Sequence, residues 1–236
     1  MKRLHFGMSS GIAVVATGTL AITALLATGM PSAFTSSDGL LGRFRDQPAT
    51  THCDKTITGH NKAVINVPAP STYCLVNLTQ IGAVNVAPGA ALSVTRGSVI
   101  NGAITLVAAK AFTFCASSTV GGAIKASRSD GFVIIGNGGD GGSLATPCKA
   151  NHIDGAVTLN ANLGGVEIGG NSIVGALTVS GNIAPNGGTP KEDNATEIEA
   201  NTVRGLTTCA SNNPAPVNDG RKNTFTGGAK GQCVGL

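Results

Sequence analysis

The chain has 236 residues, of which 42% are hydrophobic but only 3% aromatic, with 34 glycines and no tryptophan. That excludes a helical bundle, where interior glycine costs about 1 kcal/mol against alanine, and suits many tight corners around a narrow aliphatic core. The formal charge of +4 comes from basic residues scattered along the sequence, so no nucleic-acid partner is expected.

Residues 1–30 read as an export signal. Lys2 and Arg3 form a basic start, Ile12 to Ala27 is apolar, and Ala27 with Gly29 fits a small-residue cleavage site. The apolar run is shorter than the ~20 residues of a spanning helix, so no membrane contact is expected after cleavage; an uncleaved anchor is the alternative. Residues 31–50 (PSAFTSSDGLLGRFRDQPAT) have no period and read as a flexible tail.

Residues 51–81 read as an N-terminal cap and first coil. Ala63 to Val67 alternates as a strand does, and CLVNLTQI from Cys74 leads into the first clear rung. A repeat array must cover the open end of its core, and Cys53 with Cys74 is the candidate closure.

From 82 to 236 one pattern recurs. GAVNV at Gly82, GAITL at Gly102, GAIKA at Gly122, GAVTL at Gly155 and GALTV at Gly175 are followed by altered copies at Gly205 and Gly227. The steps between these glycines are 20, 20, 33, 20, 30 and 22 residues. A period near 20 is the signature of a solenoid. Each repeat carries three apolar pieces. The first is Val84 and Val86 with its equivalents. The second comprises Leu92 and Val94, Phe112 and Phe114, Phe132 and Ile134, Val166 and Ile168, then Thr196 and Ile198. The third is a single position: Ile100, Val120, Ile153, Ile173, Val203 and Phe225. Period-2 alternation sends Asn85, Thr105, Lys125, Thr158, Thr178 and Thr208 to the outer face. The expected fold is therefore all-β, a right-handed parallel β-helix of about 20 residues per coil.

Ser98, Ser118, Asn151, Asn171, Asn201 and Asn223 each stand two residues before the third apolar position. Stacked at strand spacing, they predict a ladder of side-chain hydrogen bonds. Two inserted loops, roughly Gly136 to Pro147 and Gly181 to Asn194, break the period at corners and are either functional loops or neutral insertions.

Six cysteines lie beyond the signal: Cys53, Cys74, Cys115, Cys148, Cys209 and Cys233. An even number in an exported chain predicts disulfides. In a solenoid each coil touches only the next, which favours pairing in chain order. The expected bridges are Cys53 with Cys74, Cys115 with Cys148 and Cys209 with Cys233, and the Cys115 bridge depends most on register, because a one-residue slip turns a strand side chain over. No C-x-x-C pair is present, so no zinc site is expected.

The pattern resembles right-handed parallel β-helices, including bactofilins and polysaccharide lyases. The tail is more similar to secreted actinobacterial β-helix repeat proteins, through Asn201, Val203 and Gly205, then Cys209, Asn223, Gly227 and Gly231-Gln232-Cys233. That resemblance implies a fold and an export route and adds little about activity.

Glycoside hydrolysis needs two carboxylates ~5–9.5 Å apart, yet no acid lies between Asp54 and Asp130. Glu167 and Glu197 take the same outward position in adjacent coils, with Glu199 two residues on, and are expected to splay into water near Lys191. One G-G-rich stretch around Asp140 is too short for a calcium-binding repeat. His152 lies between Asn151 and Ile153 and reads as packing or solvent rather than a ligand. The Thr column on the first strand is interrupted by Lys125 and is not expected to bind ice. No catalytic residue, metal or cofactor is expected. The expected role is a secreted or cell-surface structural or interaction module meeting cell-wall or extracellular polysaccharide or protein, with a carbohydrate-active enzyme as the alternative.

Overall fold

A computed structural model describes residues 52–115, 117–137, 148, 150–183 and 196–236. The expected signal, the expected tail and most of both insertions lie outside the described residues.

The described chain is a parallel β-solenoid with three faces. The first face is an eight-stranded parallel sheet running Ile65–Val67, Val84–Val86, Ile104–Val107, Ile124–Ser127, Val157–Asn160, Leu177–Ser180, Thr207–Ala210 and Ala229–Gly231. Each strand pairs in register with its equivalent one coil on: Val84 meets Ile104, Ile104 meets Ile124 and Ile124 meets Val157. The second face runs from Lys55–Asn61 through Thr72–Gln80, Ala91–Thr95, Ala111–Phe114, Val133–Gly136 and Val166–Gly169 to Thr196–Glu199. The third face is made of two-residue strands, from Val99–Ile100 to Thr224–Phe225. Thr72–Gln80 turns from the second face into the third and joins them as one 13-stranded sheet. No described residue is helical.

The core is the aliphatic column that the alternation predicts. Val84, Ile104, Leu106, Phe112, Phe114, Ile153, Leu159 and Leu177 are all fully buried. One placement needs correction. On the second face of the third repeat the inward residues are Val133 and Ile135, both 0% exposed, and not Phe132 and Ile134. Val133 pairs with Phe112 and with Val166. The cause is an added corner residue: Ile104 precedes its second-face partner Phe112 by eight residues, whereas Ile124 precedes Val133 by nine. Gly131 absorbs the extra residue, since a Cβ there would run into the Lys110 carbonyl.

Each of the three corners is built differently. The corner that leads into the first face is a column of glycines. A Cβ on Gly122, Gly155, Gly175 or Gly205 would lie 2.6 Å from the backbone nitrogen of Ala103, Ala123, Ala156 or Ala176 in the coil before. Only glycine allows that approach.

The corner between the second and third faces carries the expected amide ladder. Asn151, Asn171 and Asn201 each donate Nδ2–H to the Oδ1 of the next asparagine, at 3.0, 3.1 and 3.0 Å, ending on Asn223. Asn171 and Asn201 also donate their backbone N–H to that same oxygen.

The corner between the first and second faces holds a second ladder that the sequence reading missed. Asn162 donates to Asn182 at 2.8 Å, Asn182 to Asn212 at 2.9 Å and Asn212 to Gln232 at 3.1 Å. The second Nδ2 hydrogens reach back to strand carbonyls, as from Asn182 to Leu159 at 3.1 Å. The residue before each amide turns the chain with a positive φ: 54° at Ala161, 64° at Gly181 and 55° at Ser211.

The disulfides pair in chain order. Cys53 joins Cys74, Cys115 joins Cys148 and Cys209 joins Cys233, with Cα separations of 5.7, 4.9 and 5.0 Å, inside the usual range. The last bridge sits against the end of the core, where Phe225 and Leu236 also pack.

The ladder makes a signed prediction. In Asn182→Asp the Oδ1 still accepts from Asn162, but the second oxygen faces only acceptors, the Leu159 carbonyl and Asn212 Oδ1. Burial disfavours the charged form, so the new carboxyl titrates above its unfolded value. Its folded form is therefore best tolerated when protonated, and stability falls as the pH rises through the carboxylate range. Urea denaturation is expected to show a loss of about 2–4 kcal/mol at neutral pH, shrinking near pH ~4.

Candidate functional site

The strongest cluster of ionisable side chains lies at the distal end of the second face. The strands Val166–Gly169 and Thr196–Glu199 pair with Glu167 opposite Glu197 and Gly169 opposite Glu199. Val166, Ile168, Thr196 and Ile198 point inward, so alternation aims the three glutamates outward. The sequence thus places them correctly on one face.

It does not place them in water. Glu167, Glu197 and Glu199 are 8%, 3% and 0% exposed, which overturns the expectation that they splay into solvent. Part of the cause is visible along the stack. Ile134 lies on the rung before Glu167, and Val217 bridges the rung after Glu197, so apolar side chains close the column at both ends. Glu199 stands over Gly169, which offers no side chain to crowd it, and receives Arg221. The guanidinium Nη1 lies 3.4 Å from Glu199 Oε1, with the Arg221 side chain 32% exposed. Arg221 is held there by the backbone, where Ala200 N–H donates to the Arg221 carbonyl at 3.1 Å. Sequence reasoning missed Arg221 because the stretch from 211 to 223 has no strand period. Lys191, the expected neighbour, lies outside the described residues.

Two glutamates stacked on successive rungs do not face one another across a cleft. Among the described residues no three His, Cys, Asp or Glu side chains stand close enough to hold a metal ion. His152 Nε2 lies 2.8 Å from Asp154 Oδ1, and both side chains are about half exposed, so it is a solvated surface pair as the sequence suggests.

At the opposite end a groove of about 640 Å³ is lined by Lys55, Ile57, Val64, Asn66 and Tyr73, among others. Tyr73 is the chain's one tyrosine, but the Lys55 ammonium sits 5.3 Å from its ring centre and occupies the face on which a sugar would stack.

The first face is a regular surface eight strands long. One file of outward side chains runs Asn66, Asn85, Thr105, Lys125, Thr158, Thr178, Thr208 and Lys230, and a second, two residues on, runs Val107, Ser127, Asn160, Ser180 and Ala210. Asn85 donates to Asn66 at 3.0 Å.

No family model, curated protein or solved structure matches the chain. The three disulfides are consistent with an extracellular or other oxidising environment. Among the described residues no helix is long and apolar enough to cross a membrane.

The Arg221 contact is testable. Arg221→Ala removes a charged partner of a fully buried carboxylate. The expected destabilisation is about 1–3 kcal/mol, below the ~3–5 of a wholly buried pair because Arg221 is partly hydrated. Arg221→Lys is expected to recover part of it in the same denaturation assay.

Proposed function

We propose that the protein is exported and works outside the cytoplasm as a non-catalytic interaction module. Its partner is a cell-wall or extracellular polysaccharide. The observation that supports this most is the exposed first face, eight paired strands long, on a rod pinned by three disulfides. A rigid scaffold with a regular outer surface presents hydrogen-bonding groups at fixed intervals, which suits a repeating ligand. The basic, apolar start of the sequence supports the export route.

The alternative reading, a carbohydrate-active enzyme, draws on Glu167, Glu197 and Glu199. Their burial argues against it. A general acid must reach the glycosidic oxygen, and its partner must stand on the other side of the bond.

The test is to incubate the secreted protein with cell-wall and plant polysaccharides and measure both retention and release of reducing ends. Retention on at least one polymer without release is expected, and Glu197→Gln should leave that result unchanged. Release of reducing ends that disappears in Glu197→Gln would establish the enzyme instead.

A further inference from the structure

The formal charge is segregated along the solenoid axis. From Lys55 to Ser129 there are six basic residues and no acidic one, a net of +6. Among the described residues from Asp130 to Leu236 there are four basic and six acidic ones, a net of 4 − 6 = −2. All six cations of the first part, Lys55, Lys62, Arg96, Lys110, Lys125 and Arg128, are exposed. A rod with one cationic half presents a long-range field that a neutral surface lacks.

Three of these cations border the first face. Lys62 adjoins the first rung, Lys125 stands in the outward file of the fourth, and Arg128 follows that rung. Between Lys62 and Lys125 the outward file reads Asn66, Asn85 and Thr105. Three steps of ~4.8 Å separate the first rung from the fourth, about 14 Å in all. Over that length the surface offers amide and hydroxyl groups in the middle and positive charge at both ends. None of these outward side chains is aromatic, so the surface lacks the stacking platform that single-stranded nucleic acid uses.

We propose that the N-terminal half of the first face binds an acidic polysaccharide, a chain of carboxylate-bearing sugars lying along the rungs. The proposal rests on the interaction-module reading and names its ligand class. A sugar ring with its linkage is comparable in length to one coil rise, so successive sugars meet successive rungs. Sugar hydroxyls meet Asn66, Asn85 and Thr105, and carboxylates meet Lys62, Lys125 and Arg128. The cations stand at the first and fourth rungs with none in the file on the two rungs between, which fits a sparsely charged sugar chain better than the dense charge of a phosphate polymer.

The experiment measures binding of the full secreted chain to polygalacturonate, a neutral glucan, polyphosphate and polyglutamate. It is run from about 0.01 M to about 1 M salt, over which the Debye length falls from ~30 to ~3 Å. Polygalacturonate is expected to bind more tightly than the other three and to be released by salt. Lys125→Glu combined with Arg128→Glu should weaken it by about tenfold or more. Lys230→Glu, in the same file at the far end, should change it by less than about twofold. Both sites are exposed, and an unchanged melting temperature confirms that each variant is folded. Equal affinity of the double variant, or tighter binding of polyphosphate or polyglutamate, overturns the proposal. Salt-insensitive binding to the neutral glucan alone also overturns it, while leaving the interaction-module reading standing. Binding to none of the four overturns both.

Discussion

At two corners of each coil one backbone N–H falls outside the coil-to-coil backbone pairing that satisfies its neighbours, and the structure depends on how that group is satisfied. A buried unpaired N–H or C=O costs about 1–3 kcal/mol, and here the corner recurs in every coil. Asparagine resolves this because its side chain is a peptide group in miniature. Its Oδ1 accepts from the backbone and side chain of the preceding asparagine, and its Nδ2 closes onto an earlier strand carbonyl and the next Oδ1. Each amide therefore locks its coil to both neighbours. Two such ladders run along two edges, and a file of glycines in close backbone contact runs along the third.

The three faces consequently do different work. The second face has its outward residues largely buried, with Ser93, Glu167 and Glu197 all under 9% exposed, and both insertions leave the coil at its margins, after Asn137 and after Ile183. The third face is narrow, two residues per strand. The first face alone is regular along eight strands with hydrated outward side chains, and it has a cationic end. Lysine residues that look scattered in the sequence become an organised surface only once the coil brings residue 62 within a few rungs of residue 125.

Much of this was legible in the sequence, because a short period is read directly. The inward file on the first face follows from the glycine spacing, the Asn151 ladder from its fixed place before the third apolar position, and the order of the disulfides from contact between successive coils. The second ladder left a signal too: Ser129, Asn162, Asn182 and Asn212 each stand seven residues after Gly122, Gly155, Gly175 and Gly205. It was obscured because the file changes residue type at both ends, to serine and to glutamine. The slip at Val133 was not legible, since one residue added to a corner leaves two equally apolar registers to choose from. The burial of Glu167 and Glu197 was not legible either. Alternation tells which face a side chain takes, and says nothing of what lies above and below it in the stack.

The asparagine ladders are structural bonds of the same standing as the strand ladders. Hydrogen exchange of the native protein tests this most directly. The backbone amides of Asn162, Asn171, Asn182, Asn201 and Asn212 lie in corners and donate to side-chain oxygens at 2.9–3.1 Å. They are expected to exchange as slowly as the amides of Leu159 and Val179 in the strands beside them. Exchange at the rate of exposed turn amides would contradict it.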